Sequence, residues 1–361
     1  MAVVIDIGTD YCKCGLAGDD APRTVVPTIL LTDTYVGETP PHMTRSLLST
    51  SPKRPVEHGY VTDWDGMEKV LRNCFDRMRK TCSRNQPLLY TEPVLTPLAQ
   101  RQRMLQLLFE NFDVPATQSE IQAKLSVYTG GRSVSMAVEC GAGVTQVYPV
   151  WEGYTEPAAI KRADFGGRDV THYLGELLSQ RGRSFPSTAD QLTLDKLKID
   201  SSSLAMDYNA DVARLKQSGS LEKKYLLPSG EAVTLGEERL RCPESLFDPS
   251  LMGVSSPGVH VLAADAISAC PIDIQRDLLR NVLLCGQAMS FPNCKERLQR
   301  ELEQLFGNGG RTRVRVVQSP DVNAWVGGSI VASLSSFQRL WITADEYKEC
   351  GPHALYRLLR L

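Results

Sequence analysis

The sequence VVIDIGTDYCKCGL at residues 3–16 decides the fold, and SMAVECGAGVTQVYPV at residues 135–150 repeats its pattern. In both, an apolar strand runs into an acid-x-Gly turn and continues as a second strand, with Asp6-Ile7-Gly8 in the first and Glu139-Cys140-Gly141 in the second. A glycine-bearing hairpin turn can point backbone N–H groups at an anion, so two such turns facing each other could clamp a polyphosphate. Two ordinary hairpins without a ligand are the alternative at this point.

Helical signals separate the strand-like stretches. Asp63 is placed to cap an apolar-faced helix, Thr96-Pro97 to start another, and Thr343-x-x-Glu346 forms a capping-box pattern near the C-terminus. Residues 294–306 are amphipathic and end at Gly307. Strands that alternate with helices predict an α/β fold, and 361 residues are enough for two sizeable lobes.

The composition excludes several classes of partner. The net charge is −2, so the basic excess of a nucleic-acid-binding protein is missing. No apolar run reaches the roughly 18 residues that a membrane-spanning helix needs. We therefore expect no nucleic-acid partner and no membrane partner.

The ten cysteines are scattered and form no CxxC pair. This usage favours free thiols in a reducing cytosol or nucleus. Cys12 and Cys14 share one strand face and could suggest a metal site, but two buried small thiols are the favoured interpretation. We expect no bound metal on the protein's own ligands.

Long ungapped phrases of the sequence resemble the actin family, in the order in which that family carries them. They are DIGT at 6–9, CGLAGDDAPR at 14–23, PVEHG at 55–59, GGRD at 166–169, RCPE at 241–244 and WVGGSIVASLSSFQ at 325–338. A single glycine-rich loop would be weak support, whereas six phrases in register are specific.

The resemblance implies an actin-like two-lobed fold of class α/β, with duplicated ribonuclease-H-like domains around a central cleft. By position, it implies an outer large subdomain of residues 1–27, 55–129 and 323–361, an outer small one of 28–54, an inner large one of 130–165 and 255–322, and an inner small one of 166–254.

The resemblance also implies a nucleotide pocket for ATP or ADP with Mg²⁺. Asp6 would order water around magnesium, and Gln122 would orient the attacking water of ATP hydrolysis. Lys13 would neutralise the terminal phosphates. The other matching pocket positions are Gly8, Thr9, Gly141, Gly143, Lys198 and Gly286.

Several pocket positions depart from the family pattern: Asp10, Ala142, Gln146, Ile199, Gln287 and Asp321. Asp10 stands where the family has a phosphate-facing glycine. An unpaired carboxylate about 4 Å from one phosphate charge costs roughly 4 kcal/mol at an effective dielectric of 20, or about three decades of affinity. Ala142 removes a partner of the magnesium water shell, and Gln146 replaces a histidine near the attacking water. We expect a degraded site with no ATPase activity, so that Gln122 and Asp6 are vestigial and no nucleotide is held tightly.

Two surfaces bear on assembly. The segment between Pro27 and Tyr35 is shorter than in actin by roughly a dozen residues, so we expect no homopolymer. An apolar cleft that docks amphipathic helices in actin is matched by Tyr128, Ile330, Val331, Leu334 and Leu340. We expect Val331 and Leu334 to contribute mainly to the core, and Tyr128 and Leu340 to be more exposed.

The resulting hypothesis is a non-catalytic, actin-related subunit of a cytoskeletal or motor-associated assembly, in the cytoplasm. Its partners would be other proteins of that assembly, including actin itself or a helix in the cleft. One alternative is a nuclear subunit of a chromatin-remodelling complex, and another is an ATP-dependent, filament-forming actin.

Overall fold

The computed structural model describes residues 1–32, 35–36, 53–78, 85–185, 188–218, 222–227, 230–307, 313–319 and 323–360. The chain divides into two compact units. Unit 1 contains Met1–Ser133 and Pro320–Leu361, and unit 2 contains Val134–Ser319.

Strands are distributed over both units. In chain order they are β1 Val3–Ile7, β2 Tyr11–Leu16, β3 Thr24–Pro27, β4 Leu30–Thr32, β5 Tyr35–Val36, β6 Val56–Glu57, β7 Tyr60–Val61, β8 Leu88–Glu92, β9 Ala116–Ile121, β10 Val134–Cys140, β11 Thr145–Trp151, β12 Lys161–Ala163, β13 Lys223–Leu226, β14 Ala232–Leu235, β15 Val282–Cys285, β16 Val316–Gln318 and β17 Ile342–Thr343.

The helices are α1 Trp64–Met78, α2 Leu98–Gln106, α3 Gln122–Tyr128, α4 Gly167–Gln180, α5 Thr188–Ser201, α6 Tyr208–Ser218, α7 Glu238–Glu244, α8 Val259–Ser268, α9 Ile272–Leu279, α10 Cys294–Phe306, α11 Asn323–Ser333 and α12 Ala344–Cys350. Within the described ranges, no helix is long and apolar enough to cross a bilayer.

The helix signals in the sequence are confirmed. The Asp63 side chain accepts a hydrogen bond from the Gly66 N–H (2.9 Å) at the start of α1. Thr343 and Glu346 form the predicted capping box of α12, and α10 has the predicted bounds. These signals succeed because a cap acts within one turn of helix.

The two central sheets share the topology of five strands, and unit 1 adds β17 antiparallel to β9. In unit 1 the order is β3-β2-β1-β8-β9-β17, and in unit 2 it is β12-β11-β10-β15-β16. In each, two antiparallel pairs are followed by two parallel pairs. The predicted α/β class and its internal duplication are therefore confirmed. β1 and β8 are buried along their whole length, which explains why apolar residues run consecutively at Val3-Val4-Ile5 and Leu88-Leu89-Tyr90.

Close packing of α11 in unit 1 explains the phrase at 325–338. A Cβ on Gly327 would meet the Leu125 carbonyl oxygen of α3 at 2.0 Å, so the two helices approach only with glycine there. The Trp325 indole is fully buried, donates from Nε1 to the Val4 carbonyl oxygen (3.1 Å) and lies where Gly15 has no side chain. Close packing against α3 and β1 therefore accounts for Gly327 and Trp325 in this phrase.

A buried ion pair links the phrase at 241–244 to α10 in unit 2. The Glu244 carboxylate accepts two hydrogen bonds from Arg297, at 2.9 and 3.1 Å. Arg297 also donates to Glu301 (2.6 Å) and stacks over the Phe247 ring. Burial raises the pKa of Glu244, although its bonds to Arg297 act in the opposite direction.

The implied subdivision of each unit into a large and a small subdomain stays a prediction. Most of the implied outer small subdomain, residues 33–34 and 37–52, lies outside the described residues. So does Asp321. The described part of the shortened segment contains the β4–β5 hairpin.

Candidate functional site: two glycine turns

The first turn, Gly8-Thr9-Asp10, joins β1 to β2 and is closed by its own backbone. The Gly8 N–H donates to the Tyr11 carbonyl oxygen (3.0 Å), and a Cβ on Gly8 would meet that oxygen at 2.6 Å. Thr28 then fixes both ends: its Oγ1 donates to the Gly8 carbonyl oxygen (2.9 Å) and its N–H to the Asp10 carbonyl oxygen (2.7 Å). The turn is therefore a preformed feature of unit 1.

Asp6 lies beneath this turn and is almost fully buried. Its carboxylate accepts hydrogen bonds from Lys13 Nζ (3.0 Å) and Thr91 Oγ1 (2.6 Å). The Gln122 Nε2 lies 3.2 Å from Asp6 Oδ1 and 3.0 Å from the Ile7 carbonyl oxygen. The structure thus brings together Asp6, Lys13 and Gln122, three residues that the actin resemblance assigns to one pocket.

Asp10 is paired with a cation that sequence reasoning missed. Arg54 Nη1 donates to Asp10 Oδ1 at 2.8 Å, and both side chains are about one-third exposed. The penalty of roughly 4 kcal/mol assumed an uncompensated carboxylate. That assumption is wrong, because Arg54 offsets the Asp10 charge. No local signal indicates the pair, since 44 positions separate the two residues.

The second turn, residues 141–144, repeats the first. The Gly141 N–H donates to the Val144 carbonyl oxygen at 3.0 Å, as Gly8 does to Tyr11. The start of α4 packs on this turn: the Gly167 N–H donates to the Gly141 carbonyl oxygen (2.9 Å) and the Arg168 N–H to that of Ala142 (2.8 Å). A Cβ on Gly166 would meet the Gly141 oxygen at 2.6 Å, which explains the glycines of the phrase at 166–169.

The register of the hairpins aligns their polar residues. Asp6 lies opposite Lys13 in the first hairpin, and Glu139 lies opposite Gln146 in the second. The second hairpin therefore has a neutral amide where the first has a cation. Gln146 is fully buried within the sheet. Glu139 thus holds in the second hairpin the position that Asp6 holds in the first, as the repeated acid-x-Gly pattern indicated.

Lys198 is held by unit 2 itself. Its buried ammonium donates to the Gly167 carbonyl oxygen (2.9 Å), Thr171 Oγ1 (2.8 Å) and Asp195 Oδ1 (2.7 Å). These contacts join α5 to the first turn of α4. Lys198 therefore has a complete structural role without any ligand.

The comparison with known proteins agrees with this duplicated architecture. The sequence model of the actin family matches residues 1–358. The chain belongs to the actin family. An actin-like protein of Neurospora crassa is 36% identical over 363 aligned residues, which cover 96% of this chain and 95% of that relative.

Three further positions that the actin resemblance assigns to the pocket, Gly286, Gln287 and Ile199, lie in unit 2. Gly286 has φ of +86°, and a Cβ there would meet the Cys140 carbonyl oxygen at 2.1 Å, so glycine is required by the packing of β15 against β10. Gln287 is exposed at the start of a short 3-10 turn. Ile199 is 41% exposed on α5.

The thiols of the first hairpin lie in the core of unit 1. Cys12 and Cys14 are fully buried against Cys74 of α1. The contact of Cys12 with Cys74, together with burial, raises the pKa of Cys12. Burial raises the pKa of Cys14. A protonated thiol is a poor metal ligand. Within the part of the chain that the structure describes, no group of three His, Cys, Asp or Glu side chains is placed to hold a metal ion.

The residues matching the apolar cleft of actin divide differently from our expectation. Val331 is buried, as expected. Leu334, expected mainly in the core, is 49% exposed, and Ile330 is 43% exposed beside it. Tyr128 and Leu340 are partly buried against the cluster around Trp325 and are more exposed than Val331, as expected. The expectation for Leu334 was wrong because Leu334 follows the last residue of α11, where the chain leaves the core.

Proposed function

We propose that this actin-related chain is a non-catalytic structural subunit of a cytoskeletal or motor-associated assembly, of the axonemal or dynein/dynactin kind, in the cytoplasm. One observation carries the proposal. Three cations near the two turns, Lys13, Arg54 and Lys198, already hold carboxylates of the chain itself. A polyphosphate would have to replace those carboxylates or bind without the cations.

The residues of the two turns do not fit a tightly held ATP with Mg²⁺. In the first turn, two carboxylates accompany two cations, so the turn has no net formal charge to attract a polyphosphate. In the second turn, Ala142 has no side-chain oxygen to offer a magnesium-bound water, and its carbonyl oxygen already accepts from the Arg168 N–H. Gln146 is fully buried in β11 and, unlike a histidine, is not a general base. We infer that no nucleotide is a resident cofactor and that ADP or ATP with Mg²⁺ binds weakly if at all.

A steady-state ATPase assay on the purified chain tests the loss of catalysis. We expect phosphate release at the level of the buffer, unchanged in Gln122→Ala. Turnover comparable to that of filamentous actin, abolished by Gln122→Ala, would contradict the proposal. The matched variant separates turnover by this site from a contaminating ATPase.

The exposed pair Ile330 and Leu334 supports a docking role for the end of α11. Two large apolar side chains four positions apart expose over 40% of their surface, next to half-buried Tyr128 and Leu340. An amphipathic helix buries such a face. We propose that a helix of another subunit of the assembly docks here.

Affinity capture from cells tests this surface. We expect Ile330→Asp and Leu334→Asp to lose the associated subunits, whereas Ile272→Asp, which alters a 76% exposed apolar residue in unit 2, retains them. Recovery that is equal in all three variants would contradict the docking role. Cytoskeletal or motor subunits in the wild-type capture would support the proposal, and chromatin-remodelling subunits would replace it with the nuclear alternative.

Sedimentation and negative-stain microscopy test homopolymerisation. An open head-to-tail filament needs both complementary faces on every copy, and the shortened segment after Pro27 alters one of them. We expect the pure chain to stay in the supernatant in magnesium and salt. Long two-start filaments would instead support a filament-forming actin.

A further inference from the structure

Arg54 is anchored beside the first turn by contacts that do not involve Asp10. Its neighbour Lys53 exchanges two backbone hydrogen bonds with Leu30 (2.8 and 3.0 Å), and the Pro55 carbonyl oxygen accepts from the Thr62 N–H (2.9 Å). The backbone on both sides of Arg54 is therefore fixed, so the guanidinium remains within reach of the turn whatever residue stands at position 10.

The turn is equally independent of the Asp10 side chain. Thr28, which is fully buried, holds the carbonyl oxygens of Gly8 and Asp10. Asp10 does not adopt a positive φ, so its backbone conformation requires no particular residue. Removing the carboxylate therefore leaves both the turn and Arg54 in place.

We propose that Arg54 is an anion ligand of the first turn and that the Asp10 carboxylate is the internal anion that fills its site. A carboxylate and a phosphate offer a guanidinium the same charge-assisted hydrogen bonds. Asp10 thus blocks a phosphate group in two ways: it adds a negative charge to the turn, and it engages the Arg54 N–H groups. With position 10 lacking a carboxylate, Arg54 binds a nucleotide phosphate directly.

Titration calorimetry with ATP and magnesium distinguishes the two effects. Asp10→Gly removes the carboxylate and releases Arg54, and we expect its affinity to rise by at least about tenfold. Asp10→Gly combined with Arg54→Gln removes the carboxylate without providing the ligand. We expect this double variant to lose most of the gain. Asp10→Asn, which keeps the side-chain volume, serves as a second version of the first change if the glycine variant folds poorly.

A matched control is Asp20→Gly, which removes one exposed carboxylate of the same unit. It should leave the affinity unchanged. An equal gain in Asp10→Gly and in the double variant would overturn the role of Arg54, because repulsion alone would then explain Asp10. Absence of any gain in both Asp10→Gly and Asp10→Asn would overturn it as well.

The inference rests on the proposed weak binding of nucleotide by the wild type, and the wild-type arm tests that separately. Tight wild-type binding would contradict the proposed function. A weakly binding wild type with equal gains in the single and double variants would contradict the role of Arg54 alone.

Discussion

Replacing Lys198 by methionine separates a structural role from a ligand role at a position that the actin resemblance assigns to the nucleotide. The Lys198 ammonium donates to the Gly167 carbonyl oxygen, Thr171 Oγ1 and Asp195 Oδ1 within 2.9 Å, and the residue is almost fully buried. Methionine retains most of the apolar stem and removes these three bonds.

The size of the stability loss depends on which hydrogen bonds the partners of Lys198 keep in the variant. The Gly167 oxygen still accepts a bond from Thr171 Oγ1 (2.9 Å), and the Asp195 side chain is 44% exposed, so water resolvates its carboxylate. No buried group is left without a partner, and the loss is that of charge-assisted bonds rather than of a stranded charge. We expect a decrease in the free energy of unfolding of about 2 kcal/mol.

Urea unfolding of nucleotide-free protein measures this loss, with Lys196→Met as the matched control. Lys196 is exposed on the same helix, and its substitution should change stability by less than about 0.5 kcal/mol. The reasoning is refuted if Lys198→Met is as stable as the wild type without nucleotide and loses stability relative to it only in ATP with magnesium.

Three further predictions concern unit stability. Arg297→Ala leaves the buried Glu244 carboxylate without its cation, and urea unfolding should show a loss of about 3–5 kcal/mol; a loss below about 1 kcal/mol would contradict this pairing. Burial raises the folded-state pKa of Glu92 from 4.5 to about 7 although Arg101 lowers it, so the folded state retains a proton that the unfolded chain releases. The free energy of unfolding should therefore fall by up to about 3 kcal/mol as the pH rises from 4.5 to 7. In urea unfolding at several pH values, Glu92→Gln should not show this decrease. Gly286→Ala should cost more than about 3 kcal/mol in thermal or urea unfolding, because a positive φ and a backbone clash coincide, whereas Gly253→Ala, with positive φ and open space, should cost only about 1 kcal/mol; equal costs would show that the clash relaxes.

The sequence alone determined the features whose causes are local. The two acid-x-Gly turns were readable because Gly8 and Gly141 each close a hydrogen bond three residues ahead. The capping box at Thr343 was readable for the same reason. The alternation of strands and helices gave the α/β class, and the register of the phrases gave the actin family.

Tertiary structure alone decided how charges at the turns are paired and which apolar residues reach the surface. Arg54 is 44 positions from Asp10 and no local pattern pairs them, so only the folded chain brings them into contact. Leu334 and Val331 lie three positions apart with the same apolar character, yet one is exposed and the other buried, because α11 ends between them. Local propensity describes a residue's own backbone, whereas an ion pair or a buried face depends on which distant segment folds against it.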